Sequence, residues 1–391
     1  MIVLKAKRLE EIKEYYFSSK LQEIEKKNSQ GRKVINLGIG NPDMLPPENV
    51  LTKTANSLFC VNSHGYSSSR SSPQLRKAMS IWLQDLYKID VNFETELLPL
   101  LGSKEGIFHL SMALLDPEDI VLAPNPGYLA YAAAAQLVGA KVLYYNLKEE
   151  NKWAPDFEEL EKMNLSKCKI MWLNYPHMPT GSIVSEEILK KLVSFARKKN
   201  IHLCNDNPYS LILNKSKPLS LLSFDPNKDV CSELNSLSKS FNMAGWRVGM
   251  LSASSEVIEA VVKVKSNIDS GMFPCIQEGA IEALKTCQSW HNKRNEIYQE
   301  RRAIVWKILD FLRFSYDKDQ VGLFVWAKAP ESLDSVELFV EKVLTECQVF
   351  FTPGVVFGSN GKRFLRISLC ADISVLKEVF LRILRNGGSS D

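Results

Sequence analysis

In the run NSLSKSFNMAGWRVGM, residues 235 to 250, one lysine, Lys239, stands among small and hydroxyl side chains. Ser236, Ser238 and Ser240 flank it, and Arg247 and Gly249 follow. The stretch from Asp229 to Leu237 alternates apolar and polar residues and reads as a strand, so Lys239 sits where a strand gives way to a loop. An amine there can be desolvated and can reach a carbonyl, as an imine-forming lysine must. The serines and Arg247 supply donors for an oxyanion such as phosphate. A carbonyl and a phosphate on one small molecule point to pyridoxal phosphate, an electron sink held by a lysine. The same residues also describe a solvated lysine in a serine-rich turn, so the rest of the chain has to separate the two readings.

Other residues of the right kind recur at the ends of apolar runs. Gly102, Ser103 and Lys104 begin a helix, and free backbone N–H groups at a helix start attract anions. A plain capped helix reads the same way. Val121 to Ala123 is a short strand that ends at Pro124, Pro126, Gly127 and Tyr128. Residues 168–183, CKIMWLNYPHMPTGSI, are a buried strand that runs into a proline-punctuated loop with Asn174 and His177. IHLCNDNPYSLIL ends another strand in Asp206, with Tyr209 three residues on. A carboxylate there is costly unless it meets a cation or a donor, although a loop-capping aspartate is the simpler alternative. Tyr66 stands at the entrance of a serine-rich loop, residues 61–80. Gly38 and Gly40 bracket a tight turn that lets a ligand approach the backbone. This turn is not a dinucleotide fingerprint, because the third glycine of that motif would fall at Asp43.

Strands near residues 98, 121, 142, 169, 201, 230 and 248 alternate with helical segments. That pattern predicts an α/β large domain with a mostly parallel seven-stranded sheet between helices. Helical spacing is also expected over 6–28, 185–199 and 254–266, and over 274–314 as one long helix with its continuation. Strands at 321–327 and 363–369 with helices at 333–346 and 373–386 predict a smaller α+β domain. Together these give residues 46–284 as the large domain, with 1–45 and 285–391 as the small one. A chain of 391 residues suits two domains. A net charge of +4 without a basic block argues against nucleic-acid binding. The eight cysteines are scattered, with no CxxC pair and no zinc spacing. They read as reduced thiols of a cytoplasmic protein, and no metal site is expected. The charged N-terminus has no signal-peptide core, and no apolar run reaches membrane-spanning length.

Taken in order, GIGNPD, Tyr66, GSKEG, PNPGY, a PTG loop, DNPY, SLSK with its downstream arginine, and RISL resemble the class I aminotransferases of pyridoxal-phosphate fold type I. The resemblance spans nearly the whole chain. GSKEGI, SNIDSG and LSKSFNMAGWRVG are most similar to the branch that holds LL-diaminopimelate and alanine aminotransferases. It implies pyridoxal 5'-phosphate as cofactor, held by Lys239, which also moves a proton on the substrate. It places Asp206 on the pyridine nitrogen, Tyr209 on the ring oxygen and Tyr128 against the ring. Ser103, Lys104 (through its backbone N–H), Ser236 and Arg247 would hold the phosphate, with Ser238 beside them. Tyr66 would reach the phosphate of the neighbouring subunit of a homodimer. Arg366, with Gly40 and Asn174, would bind the substrate.

The implied reaction moves an amino group from an amino acid to a 2-oxo acid by a ping-pong cycle. Two departures stand out. Met178 occupies the place of the family's usual asparagine in the PTG loop, and methionine donates no hydrogen bond. Asn174, His177 or a water would then have to substitute. Ser71 replaces a usual glycine, and Arg70 beside it is a candidate for a distal acidic group on the substrate. A lyase acting at Cβ and a non-catalytic pyridoxal-phosphate-binding protein are the alternatives.

Overall fold

The structure is a computed structural model that describes residues 3–386 apart from 5, 11 and 13. After the helix Tyr16–Ser29 comes the short strand β1 (Ile35–Asn36). Seven strands then build the main sheet: β2 (Leu97–Leu100), β3 (Ile120–Asn125), β4 (Lys141–Asn146), β5 (Cys168–Leu173), β6 (His202–Asn207), β7 (Cys231–Ser236) and β8 (Gly249–Ser252). Their spatial order is β2-β8-β7-β6-β5-β3-β4, and β8 alone runs against its neighbours.

The strands are apolar because both faces are covered. Leu98, Val121, Ala123, Ile170, Trp172, Cys204 and Leu234 face one way. They pack on Ile107, Leu110, Ala130, Ala134, Ile258 and Val261 of the helices Ser103–Leu114, Leu129–Leu137 and Ser255–Lys265. Leu122, Met171, Leu173, Leu203 and Cys231 face the other way, in a cluster with Leu75, Met79 and Leu83 of the helix Pro73–Tyr87 and Leu189 and Leu192 of Glu186–Lys199. Ser72, Ser185 and Ser254 accept hydrogen bonds from backbone N–H groups of the helices they precede.

A second sheet follows, with β9 (Ser315–Tyr316), β10 (Phe324–Lys328), β11 (Val349–Phe350), β12 (Thr352–Pro353) and β13 (Phe364–Ser368). Four of these strands pair antiparallel in the order β12-β13-β10-β9, while β11 pairs in parallel with β1. The helices Gln288–Phe311, Val336–Glu346 and Ile373–Asn386 accompany them. Asp43 accepts two bonds from Arg301, at 2.6 and 2.8 Å, which fasten the GIGNPD loop to the helix Gln288–Phe311.

Three expectations need correction. The first helix begins at Tyr16, not near residue 6, after a short turn at Lys7–Leu9. The stretch 274–314 holds two helices, Pro274–Ala283 and Gln288–Phe311. Leu284 and Thr286 bond back to Ala280 and Ala283, and Cys287 is extended (ψ 156°), so the first helix closes before the second opens. Lys239 lies in a one-turn helix, Leu237–Ser240, rather than in a loop, because Ser236 caps the turn by accepting from the Ser238 N–H at 3.1 Å. Among the described residues, no helix is long and apolar enough to cross a membrane.

Candidate active site

Parallel strands deliver their C-terminal ends to one edge of a sheet, and that edge is where open α/β sheets bind ligands. Here β6 brings Asp206, β7 brings Ser236 and Lys239, and the segment after β5 brings Asn174 and Met178. All five line one cavity of about 520 Å³. Ser103, Lys104, Tyr128, Tyr209, Ser238, Arg247, Gly40 and Arg366 line it too. Tyr66 is 96% exposed and does not line this cavity, and neither does Arg70.

The lysine end is built from glycines as much as from donors. The helix Ser103–Leu114 starts at Gly102, so no side chain caps its first N–H groups. Gly102 has φ +86°, and a Cβ there would meet the Arg247 guanidinium at 2.0 Å. On β8, a Cβ on Gly249 would meet the Ser103 nitrogen at 2.6 Å. The two glycines let the helix start, Arg247 and β8 converge. Arg247 donates to Ser238 Oγ at 3.3 Å and to the Ala244 carbonyl at 3.0 Å. An uncapped helix start, hydroxyls and a guanidinium form an anion cup. The Lys104 ammonium turns away and lies 4.5 Å from the Tyr15 ring centre, which leaves its backbone N–H to the cup.

Lys239 opens partly to the cavity, and its amine donates to the Gly40 carbonyl. Burial pushes its pKa down, and the Arg366 and Arg247 charges add to this while Cys370 opposes it. A larger share of the amine is therefore neutral, the form that attacks a carbonyl. Asp206 shows the opposite shift. Burial raises it to about 7, against the bond from Tyr131 and the nearby Ser103 hydroxyl and with a further push from the Glu233 charge. Tyr131 donates to Asp206 Oδ2 at 3.1 Å, and its ring stacks on Trp172 at 4.9 Å. Asp206 Oδ1 is buried with no hydrogen-bond partner. A buried carboxylate oxygen of this kind calls for a cation or donor on the cavity side.

Arg366, on β13, forms the far wall. Its guanidinium lies between aromatic faces, 3.9 Å from the centre of Phe324 and 4.4 Å from Phe357. It donates to the Gly38 carbonyl at 2.6 Å and meets the Met178 sulfur at 3.1 Å. Its Nε is buried without a partner. Burial lowers its pKa to about 10, so it stays charged near neutrality.

Asn174 is held inside its own loop. It donates to the Asp206 carbonyl, and its oxygen accepts from the Met178 N–H at 2.9 Å. His177 does not replace the missing asparagine. It lies outside the cavity, bonds Thr180 Oγ1 through Nδ1 at 2.7 Å, and is held neutral by burial, with its pKa lowered to about 3.

The residues fit pyridoxal phosphate, with an amine for its carbonyl, an unpaired carboxylate oxygen for its ring nitrogen, and an anion cup for its phosphate. Sequence reasoning missed Tyr15, Phe17, Phe324, Phe357 and Tyr131. Tyr15 lines the cavity together with Tyr128. The consecutive aromatics Tyr15, Tyr16 and Phe17 were the available signal.

Comparison with known proteins agrees with this geometry. Residues 32–383 match the family model described as aminotransferase class I and II. An LL-diaminopimelate aminotransferase of Dehalococcoides mccartyi is 38% identical over 365 residues, 93% of this chain and 94% of that protein. One from Aquifex aeolicus is 36% identical over 377 residues, 96% of this chain and 97% of its own. A substrate-bound BacF structure from Bacillus subtilis superposes with TM-score 0.93 at 33% identity, covering 98% of both chains.

Proposed function

The chain belongs to the class I and II aminotransferases and carries out pyridoxal-phosphate-dependent amino-group transfer, and we propose a division of that work among its residues. The observation that carries the reading is one cavity shared by the Lys239 amine, the unpaired Asp206 oxygen and the Arg366 guanidinium. When bound, the cofactor supplies a carbonyl for the amino group and a ring that withdraws the electrons released at the substrate Cα.

Lys239 Nζ would hold the cofactor, then take the proton from the substrate Cα and deliver it to the carbon that was the cofactor's carbonyl. Asp206 keeps a proton on the ring nitrogen, Tyr209 donates to the ring oxygen, and Tyr128 faces the ring. Ser103, the Lys104 N–H, Ser236, Ser238 and Arg247 hold the phosphate. Arg366 pairs with the substrate α-carboxylate, and the Gly40 backbone adds a contact. Asn174 acts through the loop it ties, by fixing Met178 against Asp206.

We further assign Tyr66 to the phosphate cup of a second copy of this chain. Phe59, Val61, Tyr66 and Ile268 form exposed apolar surface on adjoining loops. Those loops are cross-linked by bonds from Ser69 Oγ to the Asp269 carbonyl at 3.1 Å and from Gln277 to Ser67 Oγ at 2.9 Å. Such a face suits burial in a homodimer. The β1–β11 pair and the Asp43–Arg301 pair support residues 1–45 and 285–391 as one small domain beside 46–284. All eight cysteines are free, which fits a cytoplasmic setting.

The relatives' names put forward LL-diaminopimelate as amino donor. One observation favours a second donor class. The cavity lining includes Phe17, Leu21 and Ile39, with the Phe17 ring centre 5.3 Å from the Arg366 guanidinium, and Asp206 is its single carboxylate among the described residues. An apolar side chain fits that wall, whereas a distal ammonium finds no partner on this protomer. A half-reaction screen decides. Each amino acid and LL-diaminopimelate is added singly, and the violet absorbance band is followed as it gives way to the pyridoxamine spectrum. At least one donor should convert the band, and none doing so would overturn the assignment of Arg366.

Met178→Asn should raise kcat/KM for the best donor roughly tenfold. Restoring one hydrogen bond to a charged oxygen is worth about 1.5 kcal/mol, which is a factor of ten in rate. An unchanged or lower value would mean that methionine is not a deficit here.

A further inference from the structure

The helix Gln288–Phe311 buries an unusual stripe. It presents His291, Arg294, Tyr298, Arg301 and Arg302 inward, before Val305, Ile308 and Leu309. Arginine is seldom fully buried unless it is paired. Arg301 has Asp43. Arg294 is 3% exposed and makes no ion pair among the described residues.

Its donors go to two backbone carbonyls. One is that of Ser240, the residue after Lys239, and the other is that of Leu211, two residues after Tyr209. The guanidinium also bonds His291 Nδ1 at 3.1 Å and Asn295 Oδ1 at 3.1 Å. Asn295 extends the grip by donating to the Leu211 carbonyl at 3.1 Å and accepting from the Leu213 N–H at 3.2 Å. Phe241, two residues after Lys239, packs edge-on against the His291 ring at 5.2 Å.

The turn Leu237–Ser240 needs such a grip. Four residues are far too few for a helix to hold itself, and their last carbonyls lack intrahelical donors. A cation at that C-terminus satisfies them and complements the local dipole. Ser240 Oγ makes one more link, to the Pro208 carbonyl at 3.2 Å. The segment that carries Lys239 and the segment that carries Tyr209 are thus joined by this direct bond and by one guanidinium from another helix that grips both.

We propose that Arg294 is a positioning residue that locks the Lys239 turn against the Tyr209 loop, and so sets the aim of the lysine during proton transfer. The inference rests on the assignment of Lys239 to that step. The test compares Arg294→Met and Arg294→Lys with the wild type, with Arg302→Met as a control for the same helix, since Arg302 NH1 donates to the Gln320 carbonyl instead.

Hydrogen exchange is read on apo and cofactor-loaded protein, and the half-reaction is read with α-protonated and α-deuterated donor. Arg294→Met should raise exchange at residues 237–242 and 209–213 at least tenfold, with the helix 186–199 unchanged. It should also slow the half-reaction about tenfold to a hundredfold with a larger deuterium effect. Arg294→Lys should fall between, because it reaches fewer acceptors. Arg302→Met should change neither readout at those segments. Exchange that rises throughout the molecule, or is unchanged at both segments, would overturn the proposal, as would an unchanged deuterium effect. If Arg294→Met does not fold, the same two readouts on Arg294→Lys decide in its place. A violet band that persists in Lys239→Ala would overturn the assignment of Lys239 itself and leave the exchange result standing.

Discussion

Replacing Lys239 by alanine should remove the violet band and slow the half-reaction by at least about a thousandfold, within the range for a lost proton-transfer group. Two functions go at once. No amine remains to hold the cofactor's carbonyl, and no base remains beside the substrate Cα. Lys239→Arg separates charge from chemistry, because a guanidinium keeps the cation but does not form the imine. It should fail as completely as alanine. The apoprotein gives an independent reading. Burial lowers the Lys239 pKa, so the folded chain binds fewer protons than the unfolded chain between the two values. Lys239 therefore makes stability rise with pH through that window. The alanine variant should show a flatter profile. A full rate in Lys239→Ala, or a persistent band, would place the reactive amine elsewhere.

Much of this site was legible because its residues lie where strand ends meet hydroxyls and glycines. Lys239, Asp206, Ser103 and Arg247 each had a plain alternative reading in their own run, and it was their order along the chain that singled them out. The resemblance added Arg366, which on residues alone sits in an ordinary strand. What the sequence hid was longer-range. Tyr131 lies in an alanine-rich helix, and nothing local says that its hydroxyl meets Asp206. Tyr15 and Phe17 were read as part of a packing helix, yet that helix starts at Tyr16 and its first turn faces the cavity. Arg294 drew no reading at all within the helical stretch 274–314. The fold class followed from alternation of strands and helices, but the reversal of β8 did not. Its antiparallel pairing with both β7 and β2 is a fact of three-dimensional connection that the alternation does not carry.

Asp206→Asn should slow the half-reaction by about a hundredfold to a thousandfold, the usual loss when a preorganised charge is removed from a buried site. Asparagine can still accept from Tyr131, so the fold around it has a partner and the effect is electrostatic. Stability should move the other way in the apoprotein. Burial raises the Asp206 pKa from 3.8 to about 7. Between these values the folded chain binds a proton that the unfolded chain releases, so stability falls as pH rises. The cost is fully present above pH 7, and a gap of three units bounds it at about 4 kcal/mol. Asparagine carries no such cost. Apo Asp206→Asn should therefore outlast the apo wild type at pH 8 and match it near pH 4 in urea unfolding. Glu233, also raised by burial, is present in both proteins, and because its charge acts on Asp206 the difference between them reports Asp206 together with that coupling. Loaded with cofactor, the order at pH 8 should reverse, because a protonated ring nitrogen pairs with the carboxylate and not with the amide. The same side chain would then weaken the empty fold and strengthen the loaded one. Parallel pH profiles for the two apoproteins, or no reversal on loading, would remove Asp206 from the ring nitrogen.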